Sequence, residues 1–166
     1  MADVSNSKLF QNIEGIDQPA DALVVLVKTE WNSAIVDELE RGCLRVLAAQ
    51  KVASKTLVVP GAVEIPFAVR QASKAIQNAA AFITLGCVIR GDTPHFEYVC
   101  GSVTDGITQL NLSLSVPVIF GVLTVNTTEQ AQERIGGVHG HKGEEAAITA
   151  LKMMSLNKQL IQGKLP

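Results

Sequence analysis

The stretch Ala22–Val27, ALVVLV, is apolar at all six positions. A strand with one wet face alternates apolar and polar residues, so a short unbroken run belongs to a strand covered on both faces, as in a parallel sheet. Working outward, similar β-branched runs recur at Thr56–Val59, Ala80–Leu85 and Val118–Leu123, each separated from the last by enough chain for a helix. That alternation is the pattern of β-α-β crossovers.

The connecting stretches carry helix signals of their own. Asn32 or Ser33 is suited to cap a helix running to about Gln50. Pro66 fits the first turn of the next helix, where its missing N–H does no harm. The third strand should end at Gly86, and the turn Arg90–Pro94 should open a helix of about 18 residues that contains His95, Tyr98 and Cys100. Thr127 or Thr128 should cap a short helix through Arg134, stopped by Gly136-Gly137, and a last amphipathic helix should run from near Lys142 to about Leu160. Four strands, about five helices and right-handed crossovers give an α/β three-layer α/β/α sandwich: a flavodoxin-like, four-stranded parallel sheet. Residues 21–166 should form one domain. Residues 1–20 fit no internal element and should be loose or pair with a neighbouring subunit.

Composition narrows the function. The 166 residues are 47% hydrophobic and 18% charged, as in an ordinary folded protein. No apolar run approaches the roughly 18 residues of a membrane span, and Met1–Phe10 lacks the blocks of a secretory signal, so a cytoplasmic protein without a membrane partner is expected. The net charge of −2 and the lack of a basic run argue against a nucleic-acid partner. Cys43, Cys87 and Cys100 are odd in number and far apart, which fits reduced thiols packed as small hydrophobes.

In an open parallel sheet, ligands bind beyond the carboxyl ends of the strands. Four segments meet there. Trp31, the only tryptophan, is either a core plug or a flat face for a heteroaromatic ring. In PGAVEIP (Pro60–Pro66), Gly61 allows close approach to the backbone. Glu64 either complements a helix dipole or, with nearby N–H groups, binds a polyol. In GCVIRGDTPHFEY (Gly86–Tyr98), a turn feeds a helix N-terminus, a ready anion site. Asp92 there should cap the helix or face solvent. His95 is either a surface residue or a proton carrier at neutral pH. In RIGGVHGHK (Arg134–Lys142), two cations form either a solvated patch or a phosphate clamp. Glu144 and Glu145 suit a helix dipole, and Glu145 is also spaced to orient Lys142. His139 and His141 lack the further ligands of a metal site.

These segments, with PVIFGVLTV (Pro117–Val125), TTEQAQERIGG (Thr127–Gly137) and HKGEEAA (His141–Ala147), closely resemble the lumazine synthases in order and spacing from about Ala22 to Leu156. The resemblance implies a condensation, without metal or organic cofactor, of 5-amino-6-(ribitylamino)pyrimidine-2,4-dione with 3,4-dihydroxy-2-butanone 4-phosphate. The product would be 6,7-dimethyl-8-ribityllumazine, in riboflavin biosynthesis. It implies that Trp31 stacks on the pyrimidine, Ala62, Val63 and Glu64 bind the ribityl chain, and Cys87, Val88 and Ile89 offer backbone contacts to the ring. Asp92 and Thr93 would form the phosphate turn, and His95 would transfer protons. Phe120, Arg134 and Lys142 would come from a neighbouring subunit, with Arg134 gripping phosphate.

The implied assembly is a homo-oligomeric pentamer, alone, stacked or closed into a sixty-subunit icosahedral shell, with riboflavin synthase as a further partner. Two positions depart from the family's common pattern: Val63 replaces an aromatic, and VHGHKG (Val138–Gly143) replaces KAGNKG. The competing readings are an archaeal-type riboflavin synthase, which dismutates two lumazines, and a non-catalytic flavin-binding shell protein. PGAVEIP and RGDTPHF weigh against the first; the joint presence of His95, Arg134 and Lys142 weighs against the second.

Overall fold

The computed structural model describes residues 7–163 except 12, 14, 15 and 20. Strands β1 (Leu23–Thr29), β2 (Ala53–Val59), β3 (Ala79–Ile89) and β4 (Val118–Val125) form a parallel sheet in the order β2-β1-β3-β4. Helices α1 (Ser33–Ala49), α2 (Ile65–Ala75), α3 (His95–Ser113), α4 (Thr128–Gln132) and α5 (Lys142–Ile161) follow the strands. The result is the expected flavodoxin-like α/β/α sandwich.

The run that opened the sequence explains its own position. Val24 and Leu26 face a layer made by α1 and α5, while Val25 and Val27 face one made by α2 and α3. All four are fully buried, so both faces of the strand lie against apolar layers. Each such side chain contributes about 1.5–3 kcal/mol of transfer free energy, set against the entropy of ordering the chain. On α1, Val36, Leu39, Cys43 and Leu47 recur at helical spacing and meet Ala147, Leu151 and Met154 of α5. Leu39 and Gly143 pack closely enough that a Cβ at position 143 would overlap the Leu39 carbonyl.

Several boundaries differ from the sequence expectation, for physical reasons. β3 does not end at Gly86 but pairs with β4 as far as Ile89. Gly86 serves packing there, because a Cβ would stand 3.3 Å from Thr29 Cγ2 and 3.4 Å from Val122 Cγ1. α4 ends at Gln132, and the glycine pair instead builds a small antiparallel hairpin of β5 (Ile135–Gly137) and β6 (Gly140–His141). Gly136, at φ 117°, makes this path possible. Thr127, not Thr128, caps α4 by accepting from the Gln130 N–H.

Part of the first twenty residues lies along α5. Lys158 pairs with Asp17 at 2.6 Å, the Gln18 amide donates to the Leu151 carbonyl, and Lys152 donates to the carbonyls of Leu9 and Gln11. Among the described residues no helix is long and apolar enough to cross a membrane.

Candidate active site

All four strands deliver their carboxyl ends to one edge, where short hydrogen bonds continue the ladder into the loops. Glu30 N donates to Val59 O at 2.9 Å, and Arg90 N donates to Val125 O at 2.9 Å. A cleft of about 550 Å³ opens at this edge. Its walls are Trp31 and Asn32 after β1, Gly61–Glu64 after β2, Cys87–Ile89 at the end of β3, and His95 and Val99 on α3. A larger, shallower depression of about 670 Å³ lies on the other side of Trp31, against the start of α1 and the α4 residues Thr128 and Gln132. It includes none of residues 61–64 and no histidine, so the smaller cleft is the one equipped for chemistry.

Trp31 is 73% exposed, which rules out the core plug. Asn32 sets its direction. Its backbone is left-handed, at φ 56°, and its side chain does not cap α1. Instead the amide donates to the Cys87 carbonyl at 2.8 Å, tying the exit of β1 to the wall formed by β3. Thr29 adds a hydroxyl donation to the Trp31 carbonyl at 3.3 Å. Neither contact follows from sequence spacing; the one available signal is that Asn tolerates positive φ better than most residues.

Beyond Gly61, residues Ala62–Glu64 form a single 3-10 turn that leads into α2, with Pro66 in its first turn as expected. A Cβ at Gly61 would stand 3.0 Å from Glu64 Oε2 and 3.5 Å from Trp31 Cδ1. The glycine therefore gives space to the carboxylate and the indole edge, which flank the same point.

The turn Gly91–Pro94 is exposed, and α3 begins after it without a side-chain cap. Asp92 thus faces solvent, and the free N–H groups of the first turn of α3 are left for a ligand beside His95. Arg90 braces this turn. Its guanidinium pairs with Glu97, donates to Asn126 Oδ1 at 3.0 Å and lies 4.2 Å over the Phe96 ring. The hydrogen bond from Arg90 holds the Glu97 carboxyl below the usual range.

The two buried cysteines are held in the thiol form at neutral pH. Burial pushes the Cys87 thiol up to about 11 and the Cys43 thiol up to about 12. Cys43 also donates to the Gly143 carbonyl at 3.0 Å.

Phe120, Arg134 and Lys142 do not line this cleft. Phe120 packs against the layer beneath α2 and α3. Arg134 donates to the Gln130 carbonyl at 2.7 Å and is partly exposed. Lys142 is only 4% exposed, and its ammonium donates to both Glu145 oxygens, at 2.7 and 2.9 Å. Glu144 turns to Arg45 at 3.0 Å. His139 and His141 separate, one toward Glu133 and the other toward Glu38. Among the described residues no three His, Cys, Asp or Glu side chains gather as a metal-binding group.

The sequence model of the 6,7-dimethyl-8-ribityllumazine synthase family matches residues 21–158. The chain belongs to that family. Relatives bearing this name include the protein of Parabacteroides distasonis, 40% identical over 156 residues, covering 89% of this chain and 97% of the relative. That of Porphyromonas gingivalis is 46% identical over 149 residues, covering 87% and 91%. That of Bacteroides fragilis is 44% identical over 140 residues, covering 80% and 97%. The lumazine synthase match spans all four strands and every wall of the cleft.

Proposed function

We propose that the chain condenses 5-amino-6-(ribitylamino)pyrimidine-2,4-dione with 3,4-dihydroxy-2-butanone 4-phosphate to give 6,7-dimethyl-8-ribityllumazine, in the cytoplasm. The observation that carries this reading is the convergence of Trp31, Gly61–Glu64, Cys87–Ile89 and His95 on one cleft, in a chain of this family. The exposed indole supplies a stacking face for the pyrimidine. The 62–64 turn and Glu64 supply partners for the ribityl hydroxyls, and the free N–H groups before and within the first turn of α3 suit the phosphate.

The chemistry asks for little beyond placement and protons. The pyrimidine amine attacks the butanone carbonyl and water leaves to form an imine. Loss of the C3 proton then expels phosphate from C4, and the resulting enol takes up a proton at C4 to become a new carbonyl at C3. Attack of the ribityl-bearing nitrogen on that carbonyl closes the ring with loss of a second water. His95 is positioned to move protons in these steps, and holding two small polar substrates together supplies much of the rate.

In this reading the cleft of one subunit is completed by Phe120, Arg134 and Lys142 of a neighbour, in a pentameric ring. Support comes from their lying outside the chain's own cleft and from the open, exposed side of Trp31. Lys142 meets substrate only by giving up Glu145. Turnover of the two purified substrates, followed by product identification, tests the proposal. Formation of lumazine supports it; conversion of added lumazine to riboflavin, without condensation, overturns it.

A further inference from the structure

The mount beneath Arg134 and Lys142 is built around a histidine that the reaction does not use. His141 precedes α5, pairs with Ile135 in the β5-β6 hairpin, and is only 7% exposed. Its ring is wedged against α1 at Gly42, where a Cβ would overlap the imidazole. Nε2 lies 3.4 Å from Glu38 Oε1, while Nδ1 is buried with no hydrogen-bond partner. Glu38 also pairs with Arg41 at 2.5 Å and Arg45 at 3.6 Å, and Arg45 reaches Glu144 of α5 at 3.0 Å. The hydrogen bond from Arg41, followed by that from His141, holds the Glu38 carboxyl below its usual range, so it faces the ring as an anion. An Nε2–H tautomer then donates to Glu38 and leaves Nδ1 as the orphan.

The next residues inherit this placement. Lys142 N donates to the Arg134 carbonyl at 2.8 Å. Gly143 rests on the Leu39 backbone, and its carbonyl accepts from Cys43. His141 and Gly143 are thus pinned to α1 by a wedged ring, its hydrogen bond to Glu38 and a backbone contact, with Lys142 held between them. A buried polar atom without a partner costs stability. What the position does offer is room for the ring beside Gly42 and an acceptor for its Nε2–H in Glu38.

We propose that His141 is a positioning residue: wedged on Gly42 and bonded to Glu38, it sets the hairpin and the start of α5 so that Arg134 meets the substrate phosphate of the adjoining site. This rests on the reading that Arg134 serves that site. The wedge and the hydrogen bond are separable. His141→Phe keeps the bulk and loses the N–H, His141→Asn keeps a polar group and loses the bulk, and Glu38→Gln leaves the wedge untouched at a partly exposed residue.

The test measures KM for the butanone phosphate, kcat, the inhibition constant of inorganic phosphate and the melting temperature. The expected result is a KM and a phosphate inhibition constant that rise together by about 3- to 10-fold in each variant, the scale of one weakened charge-assisted contact. kcat should stay within about twofold, since proton transfer by His95 is untouched. A lowered melting temperature with both constants unchanged overturns the inference, as does a fall in kcat alone. Should His141→Phe or His141→Asn fail to fold, Glu38→Gln decides between the same two outcomes. Arg134→Ala run in parallel separates the two levels. If it raises KM but the His141 and Glu38 variants do not, only the positioning role falls. If it leaves KM unchanged, the shared-site reading falls and takes this inference with it.

Discussion

At the residue scale, Trp31 stands on a strand exit with its indole open to the cleft, held from behind by Asn32 and Thr29 rather than by core packing. A flat π face is therefore the requirement. Trp31→Phe should keep most activity and Trp31→Ala should lose it, with the pyrimidine KM as readout. As the only tryptophan, its emission should be quenched on titration with the pyrimidine substrate; unchanged emission at saturation would count against stacking. His95→Ala should lower kcat by roughly 10–10⁴-fold, toward the low end if buffer supplies protons. Arg134→Ala should instead raise KM for the butanone phosphate by about 10-fold or more, through loss of charge-assisted hydrogen bonds. A common kinetic defect in both would refute the division of labour. Cys87, raised to about 11 by burial, stays protonated through neutral pH. Its alkylation by iodoacetamide should be slow at pH 8 and accelerate as pH climbs toward that value, as mapped by mass spectrometry.

At the element scale, the glycines divide into those that space elements apart and those that do not. A Cβ at Gly143 overlaps the Leu39 backbone, and one at Gly121 stands 2.6 Å from the Thr84 carbonyl, whereas one at Gly91 meets nothing within 4 Å. Gly121→Ala and Gly143→Ala should each cost about 1–3 kcal/mol or more in denaturant unfolding, and Gly91→Ala should be close to neutral. These same positions show what the sequence could reveal. The unbroken apolar run at Ala22–Val27 announced a two-faced strand because burial leaves its mark in every residue. Gly86 misled because a glycine that admits Val122 reads the same as one that turns the chain. The exposure of Trp31, the Asn32 bond to Cys87 and the pairing of Lys142 with Glu145 depend on tertiary placement, which local spacing does not encode. The sequence shows Arg90 only as the start of a turn; its bracing of that turn depends on Asn126 in the loop after β4 and Glu97 on α3, which spacing does not bring together.

At the scale of the whole molecule, a site divided between subunits makes a prediction about mixtures. If each site pairs His95 of one chain with Arg134 of the next, co-expressed His95→Ala and Arg134→Ala chains should rebuild some intact sites. Random assortment around a closed ring gives roughly a quarter of wild-type activity if sites act independently. Mixed rings no more active than either parent would place both residues in one subunit's site. The packing of α1 against α5 has a consequence of a different kind, felt during synthesis. One face of the sheet is covered jointly by Ser33–Ala49 and Lys142–Ile161, helices that lie near opposite ends of the chain. A ribosome adding about 5–20 residues per second leaves the apolar stripe of α1 waiting roughly 5–20 s for its cover. A nascent chain stalled before Lys142 should therefore be cut readily by protease and held by chaperones. The released chain should become resistant only once its last helix has cleared the exit tunnel.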